Sequence, residues 1–456
     1  MTAPHSQDVD SNIAPPPAVA LLPWGNVLED FIDKIAVSLE SFCSEFTGSW
    51  MFGYAEALRR VGVRTVLICI SSQTAVPRRL THGPTAATIC LLPAGRAYRV
   101  LRARTPNPYG RSVHEAFSGM APLQRAVLWP ALAVMKAGLL YSATPMKLVA
   151  DELRRHRCSA ILCQEYEYPR FDVSVLLGRL TCLPVFATFQ GGNYQRCWIE
   201  RHVRPRSMHA CRGVIIPTTS EAERVQRRYG ISPRKIARIF NPVDADLWTR
   251  VERRKCRELL NLPLDVQVAV WHGRISIRQK GLDLLLDAWD QLCRERPDRE
   301  LRLLLIGSGK DGADLQHRIA TTTSRGVMWV NEFVHDRRRL RSYLCAADMY
   351  VFPSRHEGFP VAPLEAMACG LPIVASDVPG IRDILDSGEA SGGIIVPRES
   401  TTQLAHAMGR ILDDREFGRT LGNRARRRVE NDFALQAVGR QLGQFLLGDA
   451  FEERSR

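Results

Sequence analysis

The chain has 456 residues, too many for one ordinary domain and enough for two, each with its own core. Hydrophobic residues make up 45% and charged residues 24%, which excludes a disordered or low-complexity chain. Sixty-two Lys and Arg against 48 Asp and Glu leave a formal charge of +14, so the surface attracts anions such as nucleotide phosphates or acidic lipid headgroups. The basic clusters Arg253-Arg254-Lys255, Arg337-Arg338-Arg339 and Arg426-Arg427-Arg428 carry no interleaved aromatic ladder. They read as solvated helix faces, with a membrane-facing patch as the alternative, and not as a nucleic-acid surface. Twelve cysteines show no CxxC pair and no His/Cys zinc spacing, so they read as small buried hydrophobes of a reducing, cytoplasmic compartment.

Residues 1–30 hold the run Pro15-Pro16-Pro17 and no basic segment ahead of an apolar core. The expectation there is a disordered tail, not a signal peptide. From residue 31 short apolar runs alternate with helical patterns, the mark of parallel sheets covered by helices. Lys34 to Leu39 and Thr65 to Ile70 are expected strands flanking a helix from Met51 to Arg60, which Gly62 ends. The loop before that helix holds Thr47, Gly48 and Ser49, small enough to admit a ligand to a helix N-terminus. Residues 75–150 carry helical patterns without a motif. Within them, Ala126 to Met146 is apolar but interrupted by Pro130, Lys136 and Pro145, which suits an amphipathic helix at an anionic membrane surface better than a membrane span.

Ala160 to Leu162, Pro184 to Thr188 and Gly213 to Pro217 are further expected strands. The second runs into Gln190-Gly191-Gly192-Asn193, and the third leads to a helix from Ser220 to Tyr229. Asn241-Pro242-Val243-Asp244 is turn chemistry, after which the alternation restarts. Strands follow at Val266 to Trp271, Leu301 to Ile306, Met349 to Phe352 and Pro372 to Ala375. Leu282, Leu285, Leu286 and Trp289 fall on one helix face. The expected organisation is α/β: a Rossmann-like domain over 31–245, a second over 246–433, and a terminal segment 434–456 whose helix, from Ala434 to Leu447, finishes the second domain or returns to the first.

The chemistry concentrates in two loops. Ser354 to Ile384 follows the apolar strand ending at Phe352, where ligands of open α/β sheets bind. Glu357 lies in this loop, Gly358 permits close backbone approach, Pro363 suits a first helical turn, and Gly370 closes the helix. Glu365 comes eight residues after Glu357, so two carboxylates can accept hydrogen bonds from hydroxyls at opposite ends of one elongated ligand. The second loop, His272 to Gly281, follows another buried strand and presents Arg274 and Lys280. Two cations beside a helix N-terminus stabilise the charge that builds on a departing nucleoside diphosphate, with no metal required.

Together these features resemble the retaining nucleotide-sugar glycosyltransferases of family 4, group 1, which have the GT-B fold of two Rossmann-like domains facing each other across a cleft. The resemblance covers Gly213 to Pro397, about 40% of the chain. It rests on the E-x7-E pair Glu357/Glu365, the Gly-Arg…Lys-Gly loop, Ser220-Glu221, and Ala347-Asp348…Pro353-Ser354. It implies that Arg274 and Lys280 hold the diphosphate, Glu357 the donor-sugar hydroxyls and Glu365 the ribose. Backbone groups of Gly358, Phe359 and Pro360 would approach sugar and phosphate, and Phe333 would line the base pocket. It further implies a UDP- or GDP-linked donor, retention by front-face departure, no metal, and transfer to a glycan or lipid-linked glycan. The acceptor would lie near Gly48, Gln190, Gly191 and Asn193. One departure stands out: the family usually has His where this chain has Gln190, and Gln donates a hydrogen bond but takes no proton at neutral pH.

Other readings are weaker. Gly307 to Gly312 fits GxGxxG after a strand, yet no acidic residue follows at the dinucleotide spacing, which leaves a tight strand-to-helix turn over an NAD site. Asp244-Ala245-Asp246 resembles a metal-binding DxD triplet but follows an interdomain turn, with Asp246 expected to start a helix. A sugar-nucleotide epimerase and a non-catalytic sugar-nucleotide-binding protein are the alternatives on the same fold.

Overall fold

The computed structural model describes residues 15–33, 37–47, 50–103, 105, 112–191, 198–321, 325–334, 336–357, 359–449 and 451–452. The first sheet contains β1 (Ala18–Leu22), β2 (Arg64–Ser71), β3 (Arg78–Thr81), β4 (Thr88–Pro93), β5 (Cys158–Gln164), β6 (Val185–Thr188), β7 (Gly213–Ile215) and β8 (Ile236–Ala237). Their order is β3-β4-β2-β1-β5-β6-β7-β8, and only the β3/β4 pair is antiparallel. The second sheet contains β9 (Gln267–His272), β10 (Leu301–Ile306), β11 (Val327–Val330), β12 (Met349–Phe352), β13 (Ile373–Ser376) and β14 (Gly393–Val396). It is wholly parallel, in the order β11-β10-β9-β12-β13-β14. Helices cover both faces of each sheet, as the alternating pattern requires.

Apart from the antiparallel edge strand β3, each order reverses direction once, between β1 and β5 in the first sheet and between β9 and β12 in the second. The loops leaving two neighbouring strands diverge at such a point, and a crevice opens at their carboxyl ends. The site therefore has two preferred places before any side chain is considered.

The N-terminal expectation needs correction. Ala18–Leu22, inside the expected tail, is the central strand of the first sheet, with all five residues fully buried. A central parallel strand is apolar on both faces and shows no alternation, so this short run beside the prolines carried no periodic signal. The proline run ends where the sheet begins, and Pro17 contributes a carbonyl to the Arg64 N–H. No strand forms over the described part of 34–39: Leu39 opens the helix Leu39–Ser44, and the Ser38 hydroxyl caps it by accepting the Ser41 N–H.

Most other elements fall within a residue or two of expectation. The helix Leu282–Glu295 buries Leu282, Leu285, Leu286 and Trp289 against the second sheet, each such side chain contributing about 1.5–3 kcal/mol. The helix Leu435–Leu447 lies against Trp50–Arg60 of the first half, where Leu435, Val438 and Leu442 join the core. Gly439 makes that approach close, since a Cβ there would stand 2.1 Å from the Ala57 carbonyl. The apolar stretch 126–146 is not one helix. It is divided among Pro122–Val127, Trp129–Leu139, a turn at Leu140–Ser142 and the start of Met146–Arg155. Among the described residues no helix is long and apolar enough to cross a membrane. Much of the basic surface is internally paired: Arg253 with Asp348, Arg254 with Glu258, Arg339 with Glu332, Arg426 with Glu430 and Arg428 with Asp432.

Candidate active site

The crevice of the second sheet is built by close backbone contact. Gly281, at φ +65°, ends the short helix Ile277–Lys280, and a Cβ there would stand 2.0 Å from the Pro353 carbonyl. The loop leaving β9 thus rests directly on the loop leaving β12. Gly307 and Gly309 do the same on the other side, where Cβ atoms would meet the carbonyls of Gly273 at 1.8 Å and Ile275 at 2.2 Å. The GxGxxG segment is therefore a tight strand-to-helix turn that supports the β9 loop, and Asp311 completes it by accepting the Ile277 N–H at 2.9 Å.

This packing brings charged side chains together. Lys280 Nζ lies 2.6 Å from Glu357 Oε1, both largely buried. His272, the last residue of β9, places Nε2 2.9 Å from Glu365 Oε2 on the helix Ala362–Ala368. Its Nδ1 is buried without a partner among the described residues. Arg274 is exposed at the lip and donates to Gln279 Oε1 at 3.4 Å. Arg355 donates to both Asp283 oxygens at 2.7 and 2.9 Å and pins the start of the Glu357 loop to the helix that begins at Leu282. Sequence reasoning assigned no role to His272 or Arg355, although His272 occupies the carboxyl end of an expected strand, where ligand-facing groups are found.

The remaining donor-side residues are placed differently. The Phe359 ring stacks on Phe240 at 5.2 Å between centroids and packs into the core, so only its backbone is available to a ligand. Pro360 is buried, Phe333 is 65% exposed beyond β11, and Gly358 lies outside the described residues.

On the first sheet, Gln190 sits just past β6 and is fully engaged. Its amide exchanges two hydrogen bonds with the Asn241 amide, 3.2 and 2.8 Å, and its N–H donates to Glu165 Oε1 at 2.7 Å. Glu165, buried at the carboxyl end of β5, holds a left-handed φ of +61°, a strained backbone of the kind that functional sites accumulate. Gly191 adopts φ +90° with open space around it, while Gly48 and Asn193 lie outside the described residues. The two halves also touch where Asp383 accepts from Thr219 Oγ1 at 2.7 Å and from Arg238 at 2.6 Å.

The Asp244/Asp246 triplet is occupied by the protein itself. Asp244 Oδ1 accepts the N–H groups of Asp246 and Leu247, and Arg60 pairs with Asp246 at 2.8 Å. Asp244, not Asp246, is thus the capping residue, and it caps a turn and not a helix. A through-space cluster, Cys90, Glu152 and His156, has metal-ligand spacing that the linear sequence hides. It lies on β4 and the helix Met146–Arg155, and Arg79 holds both Glu152 oxygens.

Two largely parallel sheets covered by helices, each with a switch point, form a two-domain architecture of the GT-B kind. Residues 49–247 match the family described as Glycosyltransferase Family 4, and residues 266–414 the one described as Glycosyl transferases group 1. The chain belongs to this family. Among curated relatives, D-inositol 3-phosphate glycosyltransferase 2 of Catenulispora acidiphila is 33% identical over 208 residues, 44% of this chain and 48% of that protein. The chain spans about half the length of the curated relatives it matches. Sucrose-phosphate synthase from Thermosynechococcus elongatus shares the fold at a TM-score of 0.60 and 22% identity, over 94% of this chain and 98% of the other. Anabaena HepE in complex with UDP does so at 0.63 and 14% identity, over 94% and 99%.

Proposed function

We propose that the chain transfers a sugar from a UDP- or GDP-linked donor to an acceptor hydroxyl, with retention, in the cleft between the two sheets. The observation that carries this reading is the Lys280–Glu357 pair beside His272–Glu365 at the β9/β12 switch point. A donor entering there would exchange the internal ion pair for its own groups. Lys280 and Arg274 would take the diphosphate and Glu357 the sugar hydroxyls, while Glu365, oriented by His272, would take the ribose. The charge that develops on the leaving diphosphate would meet two fixed cations in a partly dehydrated crevice, and such charge compensation needs no divalent ion. Curated relatives carry names such as D-inositol 3-phosphate glycosyltransferase and alpha-maltose-1-phosphate synthase, and HepE was solved with UDP and with UDP-glucose, which supports a nucleotide-sugar donor. With Gln190 bound to Asn241, no side chain at that position takes the acceptor proton, so the leaving phosphate is assigned that task.

The acceptor is assigned to a membrane-borne glycan. Leu123, Val127, Leu128, Trp129 and Val134 are exposed along the two short helices of 122–139, with Lys136 on the second of them. Exposed apolar side chains with a cation on the same helix suit peripheral contact with an anionic leaflet.

A panel of nucleotide-sugars assayed by thermal shift tests the donor, because a ligand of the native state raises Tm. The expected result is a rise with one UDP- or GDP-sugar and none with NAD. A shift without transfer or donor hydrolysis would favour the non-catalytic binding protein, product formed without acceptor an epimerase, and no shift with any nucleotide-sugar would overturn all three readings. Co-sedimentation with anionic vesicles, lost in Trp129→Glu, tests the membrane contact.

A further inference from the structure

A cavity of about 340 Å³ opens on the side of the second sheet opposite the active site, where Gln267, Asp348 and Pro372 mark the amino ends of β9, β12 and β13. Four arginines line it: Arg250, Arg253, Arg415 and Arg419. Arg253 is paired with Asp348 at 2.5 Å and Arg419 with Glu416 at 2.9 Å. Arg250 reaches only the Gly370 carbonyl, at 3.3 Å, and neither it nor Arg415 has a carboxylate within ion-pair distance among the described residues. Burial, with Arg426 and Arg253 nearby, pushes the Arg250 guanidinium below its usual range. The cavity is positively charged and roomy enough for a small oxidant.

Two thiols share its wall. Cys345 lies in the last turn of the helix Arg337–Ala346, and Cys369 caps the C-terminus of the helix Ala362–Ala368. The Cys345 sulfur accepts the Val251 N–H at 3.4 Å and its thiol reaches the Thr249 carbonyl at 3.6 Å, with Cys369 as its neighbouring thiol. Contact with Cys369, the Val251 N–H, Arg341 and Arg250 bring the Cys345 thiol down to about 7, while the same thiol contact and burial push Cys369 well up. By contrast, burial raises Cys69, Cys158, Cys163 and Cys211. Cys256 also touches Cys345 but is raised by burial and does not line the cavity.

A thiol held below its usual range, lining a cationic cavity that a second thiol also lines, is an arrangement that reacts with peroxides. We infer that Cys345 and Cys369 form a reversible, peroxide-oxidised disulfide pair on the back of the second sheet. In the first step the Cys345 thiolate attacks one peroxide oxygen. An S–O bond forms, the O–O bond breaks, and hydroxide leaves, taking up a proton as water. Cys345 is then a sulfenic acid. The Cys369 sulfur attacks it as its proton passes to the departing oxygen, so that an S–S bond forms, the S–O bond breaks and a second water leaves. The bond would tie the helix carrying Glu365 to the helix whose Arg337 reaches the Thr47 carbonyl of the first half at 3.2 Å.

Peptide mapping of the reduced full chain after brief treatment with a small excess of hydrogen peroxide tests this. The expected product is a Cys345–Cys369 cross-linked peptide that dithiothreitol reverses, formed before the exposed Cys182 is oxidised. In Cys369→Ser, Cys345 should stop at a sulfenic acid that dimedone traps. A Cys345 that stays reduced while the exposed Cys182 is oxidised would overturn the proposal, as would a link to Cys256. The wild-type mapping alone decides the matter if the variant fails to fold, and it is independent of any donor or acceptor.

Discussion

At the switch point of the first sheet, between β1 and β5, the crevice is filled from within. The buried Arg170 donates to the Pro23 carbonyl at 2.6 Å, to the Gly25 carbonyl, and to Asn26 Oδ1 at 2.8 Å. Asp30 accepts the Asn26 N–H at 2.7 Å. At the corresponding point of the second sheet, between β9 and β12, the pairs Lys280–Glu357 and His272–Glu365 are carried by loops and a helix that glycine contacts hold close together. The first arrangement spends its cation on backbone carbonyls that nothing else can satisfy. The second pairs its cation with a carboxylate, and on the proposed reading a donor with phosphate and hydroxyls would displace that pair. One topology therefore yields a structural plug in one half and a displaceable ion pair in the other.

The largest test of this contrast removes either member of the displaceable pair. Lys280→Ala and Glu357→Ala should each lower turnover by about 10²–10³, the loss typical of a group that meets developing charge, while circular dichroism and Tm remain close to wild type. Turnover near wild type in either variant would break the comparison at its centre.

Backbone contact comes next. Gly281→Ala combines a positive φ with a Cβ 2.0 Å from the Pro353 carbonyl, so it should cost roughly 2–4 kcal/mol and weaken donor binding as the β9 loop lifts. Gly191→Ala meets open space and should cost about 1–2 kcal/mol from φ alone. Chemical denaturation of both variants separates the two; equal losses would mean that the loop contact is slack.

Arg170→Ala should then behave unlike either active-site variant. It strands two carbonyls and the Asn26 amide oxygen in a buried site and should lower stability by about 1–3 kcal/mol, with the donor Kd unchanged in the folded fraction. A Kd that rises in step with lost stability would mean that the plug also shapes the donor site.

These differences explain what the linear sequence reveals and what it conceals. The E-x7-E pair and the Arg274/Lys280 loop are visible because strand, loop and helix signals stand next to the residues they position. Glu357 and Lys280 are far apart along the chain, yet both follow buried strands, and placing them at carboxyl ends needs no tertiary knowledge. Strand order is different. That β9 neighbours β12, and β1 neighbours β5, depends on long-range pairing, so the partnerships His272–Glu365 and Arg170–Gly25 could not be read from spacing. The first strand was hidden for a local reason: five apolar residues after three prolines carry no alternation. The 126–146 stretch failed in the opposite direction, since its apolar composition read as one helix while Leu128 and the turn at Leu140 divide it.

The smallest effect belongs to Gln190, where the family pattern and the geometry diverge. Its amide pairs with Asn241 by two hydrogen bonds of 3.2 and 2.8 Å, joining the end of β6 to the turn between the halves. Neutral amide bonds of this kind are worth about 0.5–1.5 kcal/mol each. Gln190→Ala should therefore cost roughly 1 kcal/mol, and a double-mutant cycle with Asn241→Ala should return a coupling of about that size. Turnover should fall less than about tenfold, because an amide that takes no proton contributes position and not acid–base chemistry. A fall of a hundredfold or more, with the fold intact, would move Gln190 from the hinge to the reacting sugar and make the first half an equal partner in the chemistry.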